Sequence, residues 1–112
     1  MRRLKSDIPV RPQEILLSPS LREYRVGGTV VGRRVFNSQG QLISATPMRD
    51  GKKHGCEITW ADDGTLELVE PYVDGRVHGT AQQYNRRGRL IGTYKMVHGT
   101  GYDVWRDQFS DG

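Results

Sequence analysis

The sequence predicts an all-β chain that folds as a single-layer antiparallel meander of stacked β-hairpins. Three observations support this prediction. Glycine, leucine and aromatic residues recur with a 24-residue period, each repeat contains two turn-forming segments, and apolar and polar residues alternate between the turns. A fixed period in this range is typical of repeat architectures, in which each unit buries its apolar side only by stacking on a neighbour.

The 24-residue period is seen in several sets of positions at once. The clearest sets are Gly40, Gly64 and Gly88; Leu42, Leu66 and Leu90; Phe36, Trp60 and Tyr84; and Gly27, Gly51 and Gly75. An interval of this length holds two short strands and the two turns that join them. Each unit is therefore predicted to be one hairpin with its connection to the next.

Each unit contains two turns of different chemistry. The first is a loop that ends in glycine, at residues 37–40, 61–64 and 85–88. Glycine takes a left-handed conformation at the end of such a loop without a Cβ clash. The second turn is an Asp-Gly pair, Asp50-Gly51 and Asp74-Gly75, which suits a tight type I′ hairpin turn.

Residues between the turns alternate with the period of a half-buried strand. Cys56, Ile58 and Trp60 share one face of their segment, and Glu57 and Thr59 share the other. Applied along the chain, the pattern predicts eight strands. Their approximate bounds are 21–26, 30–36, 42–48, 55–60, 66–72, 79–84, 90–96 and 100–106.

The two ends of the chain depart from the repeat. Residues 1–20 are expected to form an irregular basic N-terminal arm, because Pro9, Pro12 and Pro19 argue against a long helix. Residues 21–112 are expected to form the repeat domain.

The last repeat unit is predicted to be a shortened capping unit. The step from His78 to His98 is shorter than the 24-residue period, and the Asp-Gly pair is missing there. Trp105 and Phe109 are expected to fold over the end of the apolar face.

Composition and charge restrict the classes of function. The net charge is +4, but residues 1–35 contribute +5 and residues 36–112 contribute −1. Residues 54–75 contain six Asp or Glu residues and no Lys or Arg. One cysteine, Cys56, excludes an intrachain disulfide and fits a reducing compartment, so a cytoplasmic location is expected. No apolar run reaches the roughly 18 residues of a membrane-spanning helix, and no secretory signal is recognised.

Two segments resemble a known repeat. Residues 50–55, with Trp60 and Gly64, and residues 74–79, with Tyr84 and Gly88, resemble the MORN (membrane occupation and recognition nexus) repeat. Residues 97–102 resemble a partial copy, and residues 27–42 a weaker one with Val30-Val31 in place of His-Gly. The spacing is most similar to bacterial MORN-variant proteins labelled antitoxin components. The resemblance implies stacked hairpins in one elongated, twisted sheet.

Most of the prominent residues are predicted to be structural. The repeat-motif positions are Gly40, Gly51, His54, Gly55, Gly64, Gly75, His78, Gly79, Gly88, His98 and Gly99. Equivalent histidines one hairpin apart should lie about 9–10 Å from each other, too far to share one metal ion. We therefore expect each imidazole to bond a turn backbone group, and we expect no metal site.

Catalysis and a cofactor are not expected. Cys56 follows His54-Gly55, which permits a Cys/His nucleophile pair, but the equivalent positions hold Gly32 and Thr80. A small residue that fills a strand position is the favoured interpretation. The sequence contains no catalytic triad motif, paired-carboxylate motif or glycine-rich phosphate loop.

The aromatic residues are the favoured partner-binding candidates. A single-layer sheet has no opposing layer, so some of its apolar face must remain exposed, bind a partner or be covered by the N-terminal arm. Tyrosine and tryptophan suit such surfaces. The candidate protein-binding residues are Phe36, Trp60, Tyr72, Tyr84 and Tyr94. The alternative interpretation is that they form the apolar spine of the sheet itself.

The basic N-terminal third supports an alternative function. Arg2, Arg3, Lys5 and Arg11 are candidates for contact with an anionic membrane surface, with solvated charge as the competing interpretation. Nucleic acid is disfavoured, because few aromatic residues are interleaved with these charges. The exposed edge strands of the predicted sheet also permit self-association.

Overall fold

The computed structural model describes residues 11–103, and the prediction of an all-β antiparallel meander is confirmed for them. These residues form eleven strands and no helix. The strands are β1 (Gln13–Ser18), β2 (Leu21–Val26), β3 (Thr29–Phe36), β4 (Leu42–Arg49), β5 (Lys52–Lys53), β6 (Gly55–Trp60), β7 (Leu66–Val73), β8 (Arg76–Val77), β9 (Gly79–Tyr84), β10 (Leu90–Val97) and β11 (Thr100–Asp103).

The strands lie side by side in the order in which they occur along the chain. The continuous path is β1-β2-β3-β4-β6-β7-β9-β10-β11, and the two-residue strands β5 and β8 pair with β4 and β7. Every pairing is antiparallel. The chain extends over 60 × 35 × 31 Å, as expected of an elongated sheet.

Almost no side chain is buried, because the sheet has no second layer. Among the described residues, Ala81 is the one buried apolar side chain and Glu23 the one buried charged side chain, each 3% exposed. Several large apolar side chains are exposed: Leu16, Leu17, Val73, Leu90 and Ile91.

The glycine-ended loops form as the sequence predicts. In all three, the N–H of the glycine donates to the carbonyl three residues earlier, as Gly40 does to Asn37 at 3.0 Å. The glycines have positive φ angles of 78°, 89° and 79° at Gly40, Gly64 and Gly88. A register shift next to each loop marks a β-bulge, which fits a left-handed residue at that position.

The tight turns use residues with positive φ at both central positions, as a type I′ turn requires. Asp50 and Gly51 have φ of 52° and 77°, and Asp74 and Gly75 have 48° and 87°. Aspartate tolerates this conformation better than most residues with a side chain.

The structure places His98 differently from the sequence prediction. His98 and Gly99 have φ of 48° and 91°, so they form the central pair of the β10–β11 turn. His98 therefore corresponds to Asp74, one full period earlier in the chain, and not to His78. The period is kept to the end of the described chain, and the predicted shortening of the last unit reflects a match between two different His-Gly pairs.

The N-terminal arm also differs from the prediction in its described part. Residues 13–18, expected to be irregular, form β1, which pairs with β2 from Gln13–Arg25 to Ser18–Leu21. The prolines at 12 and 19 flank this strand instead of interrupting it, so they remove no ladder hydrogen bond. Residues 1–10 lie outside the described residues, as do Trp105 and Phe109.

Candidate partner-binding faces

The two later hairpins share a break that the first hairpin lacks. His54 lies between β5 and β6, and His78 lies between β8 and β9. The glycine that follows each histidine, Gly55 or Gly79, begins the next strand at a φ of 110° or 122°. A Cβ at Gly55 would lie 2.8 Å from Cγ of Pro47, so this approach requires glycine. His54 donates its N–H to the carbonyl of Pro47 at 3.0 Å, and His78 repeats the arrangement with a proline at 2.9 Å.

The histidines before these glycines hold the next tight turn. The N–H of Asp74 donates to Nδ1 of His54 at 3.2 Å, and the N–H of His98 donates to Nδ1 of His78 at 3.2 Å. The rings of His78 and His98 lie 4.7 Å apart, closer than the ladder spacing expected from the sequence, because His98 occupies a turn position. Within residues 11–103, no group of three or more His, Cys, Asp or Glu could hold a metal ion.

One face of the sheet has a row of polar side chains, here called the carboxylate face. Successive strands contribute Glu23, Arg33, Thr46, Glu57 and Glu70. Glu23 accepts hydrogen bonds from Arg33 and from Arg25 on its own strand. The hydrogen bond from Arg25 holds the pKa of Glu23 below its usual range.

The charges of the other two carboxylates of this face, Glu57 and Glu70, are compensated less completely than the charge of Glu23. Glu57 accepts a hydrogen bond from the Thr46 hydroxyl and lies 3.1 Å from the Lys53 ammonium. Glu70 is paired across the strands with Glu57, and no cation lies within ion-pair distance of it among the described residues. Burial raises the pKa of Glu70, and the charge of Glu57 raises it further.

Two of the five aromatic candidates lie on the carboxylate face. The Lys53 ammonium lies 4.9 Å from the centre of the Tyr72 ring. The Tyr94 hydroxyl donates to Oε1 of Gln83 at 2.8 Å, and Tyr94 is paired with the buried Ala81. Tyr72 and Tyr94 therefore serve contacts within the sheet.

The other three aromatic candidates lie on the opposite face, here called the aromatic face. The Arg22 guanidinium lies 4.4 Å from the centre of the Phe36 ring, and the Tyr84 hydroxyl donates to Gln82 at 3.3 Å. One row of paired residues joins these two contacts: Arg22, Arg34, Ala45, Ile58, Val69 and Gln82. Trp60 follows Ile58 by two residues on β6 and so shares this face. The predicted single aromatic surface is thus divided between the two faces.

The aromatic face also has a groove near its N-terminal end. The groove has a volume of ≈ 500 Å³ and its lining includes Tyr24, Gly32, Pro47 and Cys56. Arg11, the one described member of the basic set predicted to contact lipid, is part of the lining as well. Cys56 is exposed here and pairs with Pro71, which fits the predicted strand-filling role.

Sequence reasoning missed the groove and the polar row. Gly32 was visible as the residue equivalent to Cys56 and Thr80, but its position beside Tyr24 and Pro47 depends on strand register. Glu57 and Glu70 belong to an acidic segment that the sequence shows, yet their pairing also follows from register. Residue spacing from the glycine-ended loop, corrected for its bulge, would have brought these two together.

No protein-family model matches the chain, and no curated protein sequence matches it. Among solved structures, the crystal structure of TarM is 18% identical, covers 83% of this chain and 21% of that chain, and has a TM-score of 0.44. A mutant of S. aureus TarM in complex with Fondaparinux, alpha-GlcNAc-glycerol and UDP is 17% identical, with the same coverage and TM-score. This chain spans about a fifth of their length, and a likeness at this level assigns it no function.

No helix within residues 11–103 has the length and apolar character needed to cross a bilayer.

Proposed function

We propose that this chain is a non-catalytic protein-binding or scaffold module that binds its partner on the aromatic face. The observation that supports the proposal is the single-layer sheet, in which Ala81 and Glu23 have the only buried side chains among the described residues. A sheet without an opposing layer leaves a broad half-apolar surface on each side, and such surfaces are typical of interaction sites.

The regular spacing of the aromatic residues favours the aromatic face over the carboxylate face. On the carboxylate face, Glu23, Glu57 and Tyr94 each bond other side chains of the sheet. On the aromatic face, Phe36, Trp60 and Tyr84 recur at 24-residue intervals along the meander. Aromatic residues spaced in this way can anchor a partner that lies across several hairpins.

The resemblance to MORN repeats extends this proposal. We infer a MORN-type module, similar to the bacterial MORN-variant proteins labelled antitoxin components, that acts in the cytoplasm on a protein partner. The 24-residue hairpin period and the two His-Gly breaks support the inference. Pairing through the outer edges of β1 and β11 would allow copies of the chain to associate.

A capture experiment with matched variants tests the proposal. The wild-type chain and two double variants are used as bait in extract of the native cell. We expect a reproducible partner that is lost with Trp60→Ala plus Tyr84→Ala. The same partner should be retained with Tyr72→Ala plus Tyr94→Ala, which removes aromatic rings from the carboxylate face. Circular dichroism verifies that each variant is folded.

The proposal fails if the wild-type chain captures no reproducible partner. It also fails if the carboxylate-face variant loses the partner while the aromatic-face variant keeps it.

Peripheral attachment to an anionic membrane is the alternative function. Its support is the +5 charge of residues 1–35. Three arginines of this region, Arg22, Arg25 and Arg33, form ion pairs with Glu14 or Glu23, which leaves less charge for a membrane. Flotation with phosphatidylserine vesicles tests the alternative: binding that falls with salt and with neutralisation of Arg2, Arg3 and Lys5 would favour it.

A further inference from the structure

The groove on the aromatic face lies where the first hairpin meets the second. Tyr24, Gly32 and Pro47 are paired in register across β2, β3 and β4, and Cys56 of β6 also lines the groove. The span from β2 to β6 is three inter-strand steps, about 14 Å, which is the length of about four residues of extended chain.

Gly32 opens the floor of this groove. Its neighbours in the row are Tyr24 and Pro47, and glycine places no side chain between them. A Cβ at Gly32 would lie 3.3 Å from the carbonyl oxygen of Thr46, so even a small side chain would fit tightly. The equivalent positions in the later units hold Cys56 and Thr80, which have side chains.

The rim of the groove is positively charged. Arg11 and Arg34 both line it, and the Arg34 guanidinium lies 5.0 Å from the centre of the Tyr24 ring. Among the described residues, Arg34 forms no ion pair, because the nearby Glu14 pairs with Arg22 at 3.3 Å. Glu14 also accepts a hydrogen bond from the Tyr24 hydroxyl at 2.7 Å. An apolar floor therefore lies next to an arginine that forms no ion pair with the other described residues.

We propose that this groove binds an extended protein segment in which one carboxylate side chain is flanked by apolar side chains. The carboxylate meets the guanidinium of Arg34, which can donate two parallel hydrogen bonds to it. The apolar side chains lie over Gly32, Pro47 and Cys56. This inference rests on the proposed protein-binding function and specifies the chemistry of the partner.

Cys56 provides a probe for occupancy of the groove. It is the single cysteine of the chain, it is exposed, and it lines the groove. In the full chain without a partner, a maleimide should alkylate Cys56 nearly as fast as it does in denaturant. A bound segment should slow this reaction.

The test uses peptide display against the full chain, followed by direct binding of the enriched peptides. We expect enrichment of peptides with Asp or Glu next to apolar residues, and we expect these peptides to protect Cys56 from maleimide. Arg34→Gln should weaken their binding at least about tenfold, since loss of a single charge-assisted hydrogen bond already corresponds to that factor. Gly32→Thr should also weaken it. Arg87→Gln, which removes an exposed arginine of the 85–89 loop, should leave it unchanged.

Four results would overturn the inference. They are enrichment of no peptide, enrichment of basic or uncharged peptides, binding that Arg34→Gln leaves intact, and slow alkylation of Cys56 in the free folded chain. The last result would show that the groove is covered by the chain itself. Vesicles of phosphatidylserine serve as a further probe: Arg34-dependent binding to them without enrichment of acidic peptides would assign the groove to a membrane.

The outcome is distinguishable from failure of the proposed function. A cellular partner that depends on Trp60 and Tyr84 but not on Arg34 or Gly32 would retain the protein-binding module and exclude the groove as its site.

Discussion

The hairpin of β2 and β3 differs from the two later hairpins in the strand that follows the tight turn. In the later hairpins, a His-Gly pair divides this strand into β5 and β6, or β8 and β9. The first hairpin has Val30-Val31 there, and β3 is a single strand of eight residues whose pairing with β2 shifts register between Tyr24 and Arg25. The later units also dock the following turn, since Gly75 donates its N–H to the carbonyl of Lys53 at 2.8 Å.

This difference distinguishes residues that hold neighbouring hairpins together from residues that are available for binding. The His-Gly units use their unusual residues for contacts between neighbouring hairpins, as His54 and Gly55 show. The first unit has Gly32 where the later units have Cys56 and Thr80, and the groove there has on its rim an arginine, Arg34, that forms no ion pair with the other described residues. We infer that the positions least like the repeat are the ones to examine for binding.

The largest expected effect comes from breaking a His-Gly unit. Gly55→Ala should lower the free energy of unfolding by about 1–3 kcal/mol, because φ of 110° is strained for alanine and its Cβ would lie 2.8 Å from Cγ of Pro47. Urea denaturation followed by tryptophan fluorescence measures the change.

Gly64→Ala is the matched control for this variant. Gly64 also has a positive φ, 89°, but a Cβ there would meet no atom within 4 Å. It should therefore lose less stability than Gly55→Ala. Equal losses would contradict the role given to the close approach of Pro47.

The sequence predicts the turns of the hairpins well, but it predicts the positions of His98 and of the prolines around β1 poorly. The glycine-ended loops and Asp-Gly turns require particular backbone angles, so their residue types reveal the hairpins directly. His98 misled the prediction because a type I′ turn accepts several residues, and its His-Gly pair matches a different structural position. The prolines around β1 were also ambiguous, since a proline that flanks a strand and one that interrupts it look alike in sequence.

The binding surface was less predictable than the fold. Tyr72 and Tyr94 fit the aromatic pattern, yet each lies on the face opposite Trp60. Which face a residue takes depends on strand register and on the bulges beside the loops, because a shift of one residue reverses the faces. The groove could not be predicted for the same reason, because its residues come together only through strand register.

The second prediction tests whether His54 stabilises the following tight turn through its hydrogen bond to Asp74. His54→Ala removes the acceptor for the N–H of Asp74 and should cost about 1 kcal/mol. His98→Asp should stay within about 0.5 kcal/mol of wild type, because His98 occupies the position of Asp74 and Asp50. Urea denaturation of the two variants in parallel measures both values. A larger loss for His98→Asp would show that the two histidines were assigned to the wrong positions.

The third prediction compares carboxylates of the two regions through pH. The pKa of Glu23, in the first hairpin, is lowered by Arg25, so its ionised form stabilises the fold. This stabilisation is complete above the unfolded value of 4.5 and is lost as the pH falls through the lower folded value. Glu23→Gln should lower stability at pH 7 and flatten the loss in acid. Thermal unfolding between pH 7 and pH 3 measures this, and an unchanged acid profile would contradict it.

The smallest effect concerns Glu70, in the second hairpin, and has the opposite sign. Burial raises its pKa above 4.5, so its ionised form destabilises the fold as the pH rises through the folded value. Glu70→Gln should slightly raise the melting temperature at pH 7, and the difference from wild type should vanish below pH 4.5. A lower melting temperature at pH 7 would show that the Glu70 carboxylate contributes stability.

Gly32→Thr tests most directly whether the absence of a side chain at position 32 allows the first hairpin to bind a peptide in the groove. This variant installs the residue that Thr80 supplies in the third unit. Threonine favours strands, which offsets the tight 3.3 Å approach to Thr46, so the free energy of unfolding should stay within about 1 kcal/mol of wild type. Binding of the acidic peptides selected by the wild-type chain should weaken. Unchanged binding by a folded Gly32→Thr chain would contradict the account.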